Sequence, residues 1–198
     1  IPQAFMHFPG AGDIVKKNFG EVDLKEFDLF ISLDSGSPEM ISKINVPILP
    51  LPIHTIVIDH HSTNKLYGNL NIVDISAPSV TFILYKLFKK WNINISHDIA
   101  VNLFTGMYTD TGGFRYPPTN YETLSVASTL AKVAPDYITN LSIMENSRKK
   151  EEIYGQVLAL NSIKTFCDDK IVISAVSYTE LIARNLSHED VSQGHISS

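Results

Sequence analysis

The run Thr55-Ile56-Val57-Ile58, followed by Asp59-His60-His61 and then Ser62-Thr63-Asn64, limits what this chain can fold into more than any other stretch. Four β-branched residues in succession favour a buried strand. Ser, Thr and Asn directly after it favour a turn. Open α/β sheets place their chemistry just beyond the carboxyl ends of strands. An acid and two imidazoles delivered to that edge are good ligands for Mn, Fe or Zn.

The flanking sequence supplies the rest of such a sheet. Phe27-Asp28-Leu29-Phe30-Ile31-Ser32-Leu33 is apolar nearly throughout, as a strand covered on both faces should be. It ends at Asp34-Ser35-Gly36, after which Ser37 and Pro38 suit an N-cap and first helical position. Pro47, Pro50 and Pro52 make an extended connection into the central strand. Leu70–Asp74 reads as a further short strand. Helices are expected from Ser76–Ser79 to about Trp91, and from Ser96 to Asp110, where Gly112-Gly113 stops the second. Further helices are expected over about Tyr121–Val133, Pro135–Asn146 and Lys149–Thr165. Beyond Phe166, Asp168-Asp169 reads as a turn, Lys170–Tyr178 as a strand and Thr179–Asn185 as a short helix. The fold class is therefore α/β with a parallel sheet, followed by the first elements of a second domain. Because the chain opens on Ile1, it is expected to be a piece of something longer.

Composition narrows the partners. A net charge of -5 provides no global positive field for long nucleic acid. No duplex DNA is expected, and a phosphate substrate should be short and held by metal ions and a few local cations. The apolar runs are too short to span a bilayer. The expectation is a soluble, cytoplasmic protein without membrane association; a homodimer stays open. The single Cys167 excludes an internal disulfide framework and reads as a small apolar filler.

Three aspartates stand at transitions from apolar segment to turn: Asp34, Asp59 and Asp110. Any one of them alone is more often a cap or turn residue. Adjacent histidines at the middle one reverse that balance, since a cap needs no His-His. These residues, with Leu33-Asp34-Ser35-Gly36 upstream and Phe104-Thr105-Gly106-Met107-Tyr108-Thr109-Asp110-Thr111-Gly112-Gly113-Phe114-Arg115 downstream, resemble the DHH phosphoesterase family. They look most like its branch of oligoribonucleases and pAp phosphatases, and the resemblance runs from roughly Phe8 to Thr165.

The resemblance implies a two-metal hydrolase, usually with Mn²⁺, with Mg²⁺ or Co²⁺ as substitutes. By position, Asp34 would bridge the ions, and His60 and Asp110 would complete one metal's shell. His61 would face the substrate phosphate and Asp59 would support the ligands, His61 and Asp59 being the catalytic pair. A ligand histidine needs its other ring nitrogen anchored, a job assigned to Asp59. Arg115, beside the Asp110 turn, is the best phosphate contact because guanidinium pairs with phosphate bidentately. The implied substrates are short oligoribonucleotides or nucleotide phosphates. Cyclic dinucleotides and polyphosphate are alternatives within the family, and a non-catalytic nucleotide-binding module is the alternative outside it.

The implied organisation is a DHH domain over residues 1–148, a linker helix over 149–165 and a partial DHHA1-like substrate domain over 166–198. Departures from the family pattern include its first metal motif, for which His7 and Asp13 are no substitute, and its glycine-rich substrate loop, for which Gly194-His195 is too thin. Ser37, Met40, Val80 and Phe82 also differ from residues common among relatives. The resemblance thus implies weak metal binding and poor hydrolysis by these residues alone. His7 is read as structural, and His54, His97 and His188 are assigned no role.

Overall fold

A computed structural model describes residues 2–147 and 149–188. Arg148 and Gly194-His195 lie outside the described residues. The chain divides into two compact units between Ile143 and Met144.

In the first unit, short 3-10 turns lead to β1 (Leu29–Leu33), α1 (Pro38–Ile41), β2 (His54–Asp59) and β3 (Leu70–Val73). The three strands form a parallel sheet in the order β1-β2-β3. Leu33 pairs with Ile58, and the amide of Asp34 continues the ladder by donating to the Ile58 carbonyl at 3.0 Å. This register carries Asp34 past the end of β1 beside Asp59 at the end of β2.

Then come α2 (Val80–Lys90), α3 (His97–Asp110), α4 (Tyr121–Val133) and α5 (Tyr137–Asn146). Ser79 and Ser96 cap α2 and α3 by accepting the amides of Phe82 and Ile99. α3 is the central helix, packed against both α2 and α4. It buries Val101, Leu103, Phe104 and Met107, while α4 buries Val126 and Leu130 and α2 buries Val80, Phe82 and Ile83. Each such side chain contributes about 1.5–3 kcal/mol of burial. Gly106 permits the close approach, since a Cβ there would fall 2.3 Å from Cγ2 of Thr81.

Several expectations are corrected here. Among the described residues β1 is not covered on both faces. Leu29, Ile31 and Leu33, on one face by strand alternation, remain 42–49% exposed. The start of α2 falls within the expected Ser76–Ser79 opening, where the Ser79 hydroxyl accepts the Phe82 amide and sets Val80 as the first helical residue.

In the second unit α6 spans Lys150–Asn161 and stops four residues short of Thr165. Lys164–Phe166 is a strand, β4, paired antiparallel with β5 (Ile171–Ile173). The Ser162 hydroxyl donates back to the Ala159 carbonyl and its oxygen accepts the Ala175 amide, turning the chain out of the helix. The strand expected over Lys170–Tyr178 shrinks to three residues because the Ser174 hydroxyl reaches the Ala159 carbonyl at 2.7 Å. α7 (Tyr178–Ala183) is capped by Ser177. Its Leu181 packs with Leu158, Leu186 and Val176 into a small core. Cys167 is no buried filler: it is exposed in the tight turn between β4 and β5, where it, Asp168 and Asp169 all have positive φ. No helix among the described residues is long and apolar enough to cross a membrane.

Candidate metal centre

The sheet edge gathers Asp34, Asp59, His60 and His61, each offering a ligand atom within 4.8 Å of the others. Asp34 is half exposed and occupies the left-handed region at φ 56. Aspartate tolerates that region better than most residues, at about 1 kcal/mol or more. Its Oδ1 lies 3.5 Å from His60 Nε2 and 3.7 Å from His61 Nδ1.

Asp59 is fully buried, and four donors satisfy it. Oδ1 accepts the His60 amide at 2.7 Å, the His61 amide at 3.3 Å and His61 Nδ1 at 2.7 Å. Oδ2 accepts the Asn64 side-chain amide at 2.6 Å. Burial pushes its carboxyl up, but these donors outweigh burial and hold it below the ordinary carboxylate value.

The histidines are fixed through different partners. His60 Nδ1 donates to the Ala77 carbonyl at 3.2 Å, which leaves Nε2 with its lone pair facing Asp34. The anchor of His60 is therefore a backbone carbonyl rather than Asp59, because the strand-end turn directs Asp59 at His61. His61 is raised above the ordinary imidazole value, first by its bond to Asp59 and then by the charges of Asp59, Asp34 and Asp110, against the opposing effect of burial.

Asp110, the last residue of α3, stands outside the tight quartet but feels it. Loss of hydration, then the charge of Asp34, pushes its carboxyl up to about 6, while His60 and His61 pull the other way. After it, Gly112 and Gly113 adopt positive φ and the turn folds back on itself. Arg115 Nε donates to the Gly112 carbonyl at 2.6 Å and the guanidinium sits 5.9 Å from the Tyr116 ring. Arg115 is thus exposed near Asp110 in sequence, with one edge already committed to its own turn. Phe114 packs edge-on against Phe104 and Tyr108, as a core residue would.

The Asp34 carboxylate and His60 Nε2 in this compass suit a divalent cation, while Asp59 and His61 Nδ1 are committed to each other. Sequence reasoning missed the supports. The Ala77 carbonyl leaves no trace in a sequence, and Tyr67, whose hydroxyl meets Ser32 Oγ at 2.6 Å, lies too far along the chain to be singled out. His7 is structural, its ring 4.2 Å from that of Phe8 and its Nε2 bonded to the Asn140 carbonyl.

The fold, with its parallel sheet and edge cluster, resembles the DHH type. It matches, with a TM-score of 0.86 and 24% identity, an exopolyphosphatase-related protein from Bacteroides fragilis, covering 98% of this chain and 58% of that one. The resemblance to the DHH phosphoesterases extends to curated sequences. The chain is similar to the bifunctional oligoribonuclease and PAP phosphatase NrnA of Thermus thermophilus, 35% identical over 100 residues, which are 50% of this chain and 29% of that protein. It is also 32% identical over 117 residues to NrnA of Bacillus subtilis, covering 56% of this chain and 36% of the relative. The probable NrnA of Streptococcus mutans is 37% identical over 82 residues, 41% of this chain and 26% of that protein. The chain thus spans only about a third of the length of the curated relatives it matches. No family model matches it.

Proposed function

We propose that this chain carries the metal centre of a phosphoesterase that hydrolyses phosphodiester or phosphomonoester bonds in short oligoribonucleotides or nucleotides such as pAp. The carrying observation is the convergence of Asp34, Asp59, His60 and His61 within 4.8 Å beyond the ends of adjacent parallel strands. The names of the NrnA relatives supply the substrate class. The bound ions, with Mn²⁺ as the working metal, supply Lewis acidity toward a phosphoryl oxygen and make water a stronger acid.

The chain's own residues hold and orient. Asp34 Oδ1 and His60 Nε2, 3.5 Å apart, would hold the ion, and Asp110 at the end of α3 would be the further ligand that the resemblance implies. Asp59 keeps His61 in one ring orientation, so that Nε2 is the atom left for a phosphate oxygen. Arg115 adds its terminal guanidinium nitrogens to the same phosphate. Residues 1–148 are assigned to the DHH domain, 149–165 to the linker that includes α6, and 166–198 to the start of a DHHA1-like substrate domain. The enzyme is assigned to the cytoplasm.

In the intact protein Asp34→Ala and His60→Ala each abolish Mn²⁺-dependent release of mononucleotide from pApA and of phosphate from pAp. Wild-type rates in either variant refute the metal assignment. Parallel product analysis with cyclic di-AMP and polyphosphate fixes the substrate class.

A further inference from the structure

The loop after β2 is laced to the loop after β1 by the four residues Asn64–Tyr67. Asn64 uses both ends of its side chain: Nδ2 donates to Asp59 Oδ2 at 2.6 Å, and Oδ1 accepts the Leu66 amide at 2.7 Å. The Lys65 amide donates to the Gly36 carbonyl at 2.8 Å. The half-buried Tyr67 hydroxyl donates to the Ser35 carbonyl at 3.0 Å and meets Ser32 Oγ at 2.6 Å. Lys65 Nζ also pairs with Glu39 at 3.2 Å, at the exposed start of α1. Three of these bonds tie Asp59 or the Asp34 loop to this short segment, and those to Ser32 and Glu39 tie it to β1 and α1.

Two carboxylates side by side repel each other until a cation arrives, so something else must keep them close. We propose that residues 64–67 form a clasp between the two ligand-bearing loops, with Asn64 and Tyr67 as positioning residues that set the spacing of Asp34 and the Asp59-His60 turn for a divalent cation. Asn64 acts through Asp59. Without its amide, Oδ2 is left buried with no donor, and only the three donors on Oδ1 still hold the carboxylate. Tyr67 acts on the other side by holding the Ser35 carbonyl, so that the turn keeps Asp34 at its left-handed φ of 56.

The clasp rests on the metal reading above, and the experiment separates the two. The 198-residue chain is titrated with Mn²⁺ while the signal of free aqueous Mn²⁺ is followed by electron paramagnetic resonance, for wild type, Asn64→Ala, Tyr67→Phe and Asp34→Ala. Circular dichroism without metal checks that each variant folds. The expected result is binding by wild type, no site in Asp34→Ala, and affinity about tenfold weaker in both Asn64→Ala and Tyr67→Phe, with an altered zero-field splitting for the ion at saturation. Folded variants that bind Mn²⁺ within twofold of wild type, with an unchanged spectrum, overturn the clasp while leaving the metal site standing. If Asn64→Ala does not fold, Tyr67→Phe decides alone, since it removes only one oxygen. Wild type that fails to bind Mn²⁺ overturns the metal reading and the clasp together.

Discussion

Gly112 stands directly after the turn that ends α3, at φ +56, with Cε2 of Tyr116 only 2.2 Å from where a Cβ would be. An added methyl meets backbone strain and an aromatic ring at once. Tyr116 is 40% exposed and can swing aside, so the strain sets the scale. Gly112→Ala is expected to destabilise by about 1–2 kcal/mol, read as a lower urea midpoint at unchanged slope. Individual side chains of the metal centre divide by how they are announced. Asp34, Asp59, His60 and His61 were readable because each stands where an apolar run stops, and adjacent histidines have no capping use. The anchor of His60 was not, because a carbonyl at Ala77 has the same sequence signature as any other residue. Asp110 was readable as a helix-end acid, but its place outside the quartet depends on how α3 docks, which periodicity does not encode.

Helix starts carry their own test. The Ser79 oxygen accepts the Phe82 amide at 3.1 Å in a fully buried setting, so Ser79→Ala should lose about 1 kcal/mol by thermal or urea unfolding. The head of α3 is also tied to the turn before α5, through His97 Nε2 to Asp136 Oδ1 at 2.6 Å. His97 is raised above 6.5, chiefly by its bond to Asp98 and then by Asp136. Asp136 is lowered below 3.8, chiefly by its bond to His97. The raised histidine stabilises fully below 6.5 and loses its effect as pH climbs through its own raised value. The lowered aspartate stabilises above 3.8 and loses its effect as pH falls through its lowered value. Both act together between about pH 4 and 6.5. His97→Ala should therefore lower the melting temperature more at pH 5.5 than at pH 8.5; an equal loss at both would show that the pair contributes nothing. Boundaries followed the same logic. α4 was expected at Tyr121–Val133 and lies there, because its cap at Asn120 and its buried stripe agree. α6 was drawn four residues too long because β4 exists only by pairing with β5, and a three-residue strand has no period to read.

Across the molecule, the first unit places its only metal-ligand cluster among the described residues beyond the ends of the outer strand β1 and the central strand β2. Among the described residues β1 has a pairing partner on one side only, and Leu29, Ile31 and Leu33 remain 42–49% exposed, so this strand gains little from burial. A cation gripped by Asp34 on one side and His60 on the other joins the loops after β1 and β2, where backbone pairing has just ended. Binding to the folded state alone stabilises by mass action, about 1.4 kcal/mol at ten times the dissociation constant. For a chain of this length that corresponds to a melting temperature roughly 3–6 °C higher. Calorimetry with Mn²⁺ at that excess should show the rise in wild type and none in Asp34→Ala. Equal rises in both would mean that the ion binds elsewhere, and that the acid and imidazoles at the end of the sheet are held together by hydrogen bonds alone.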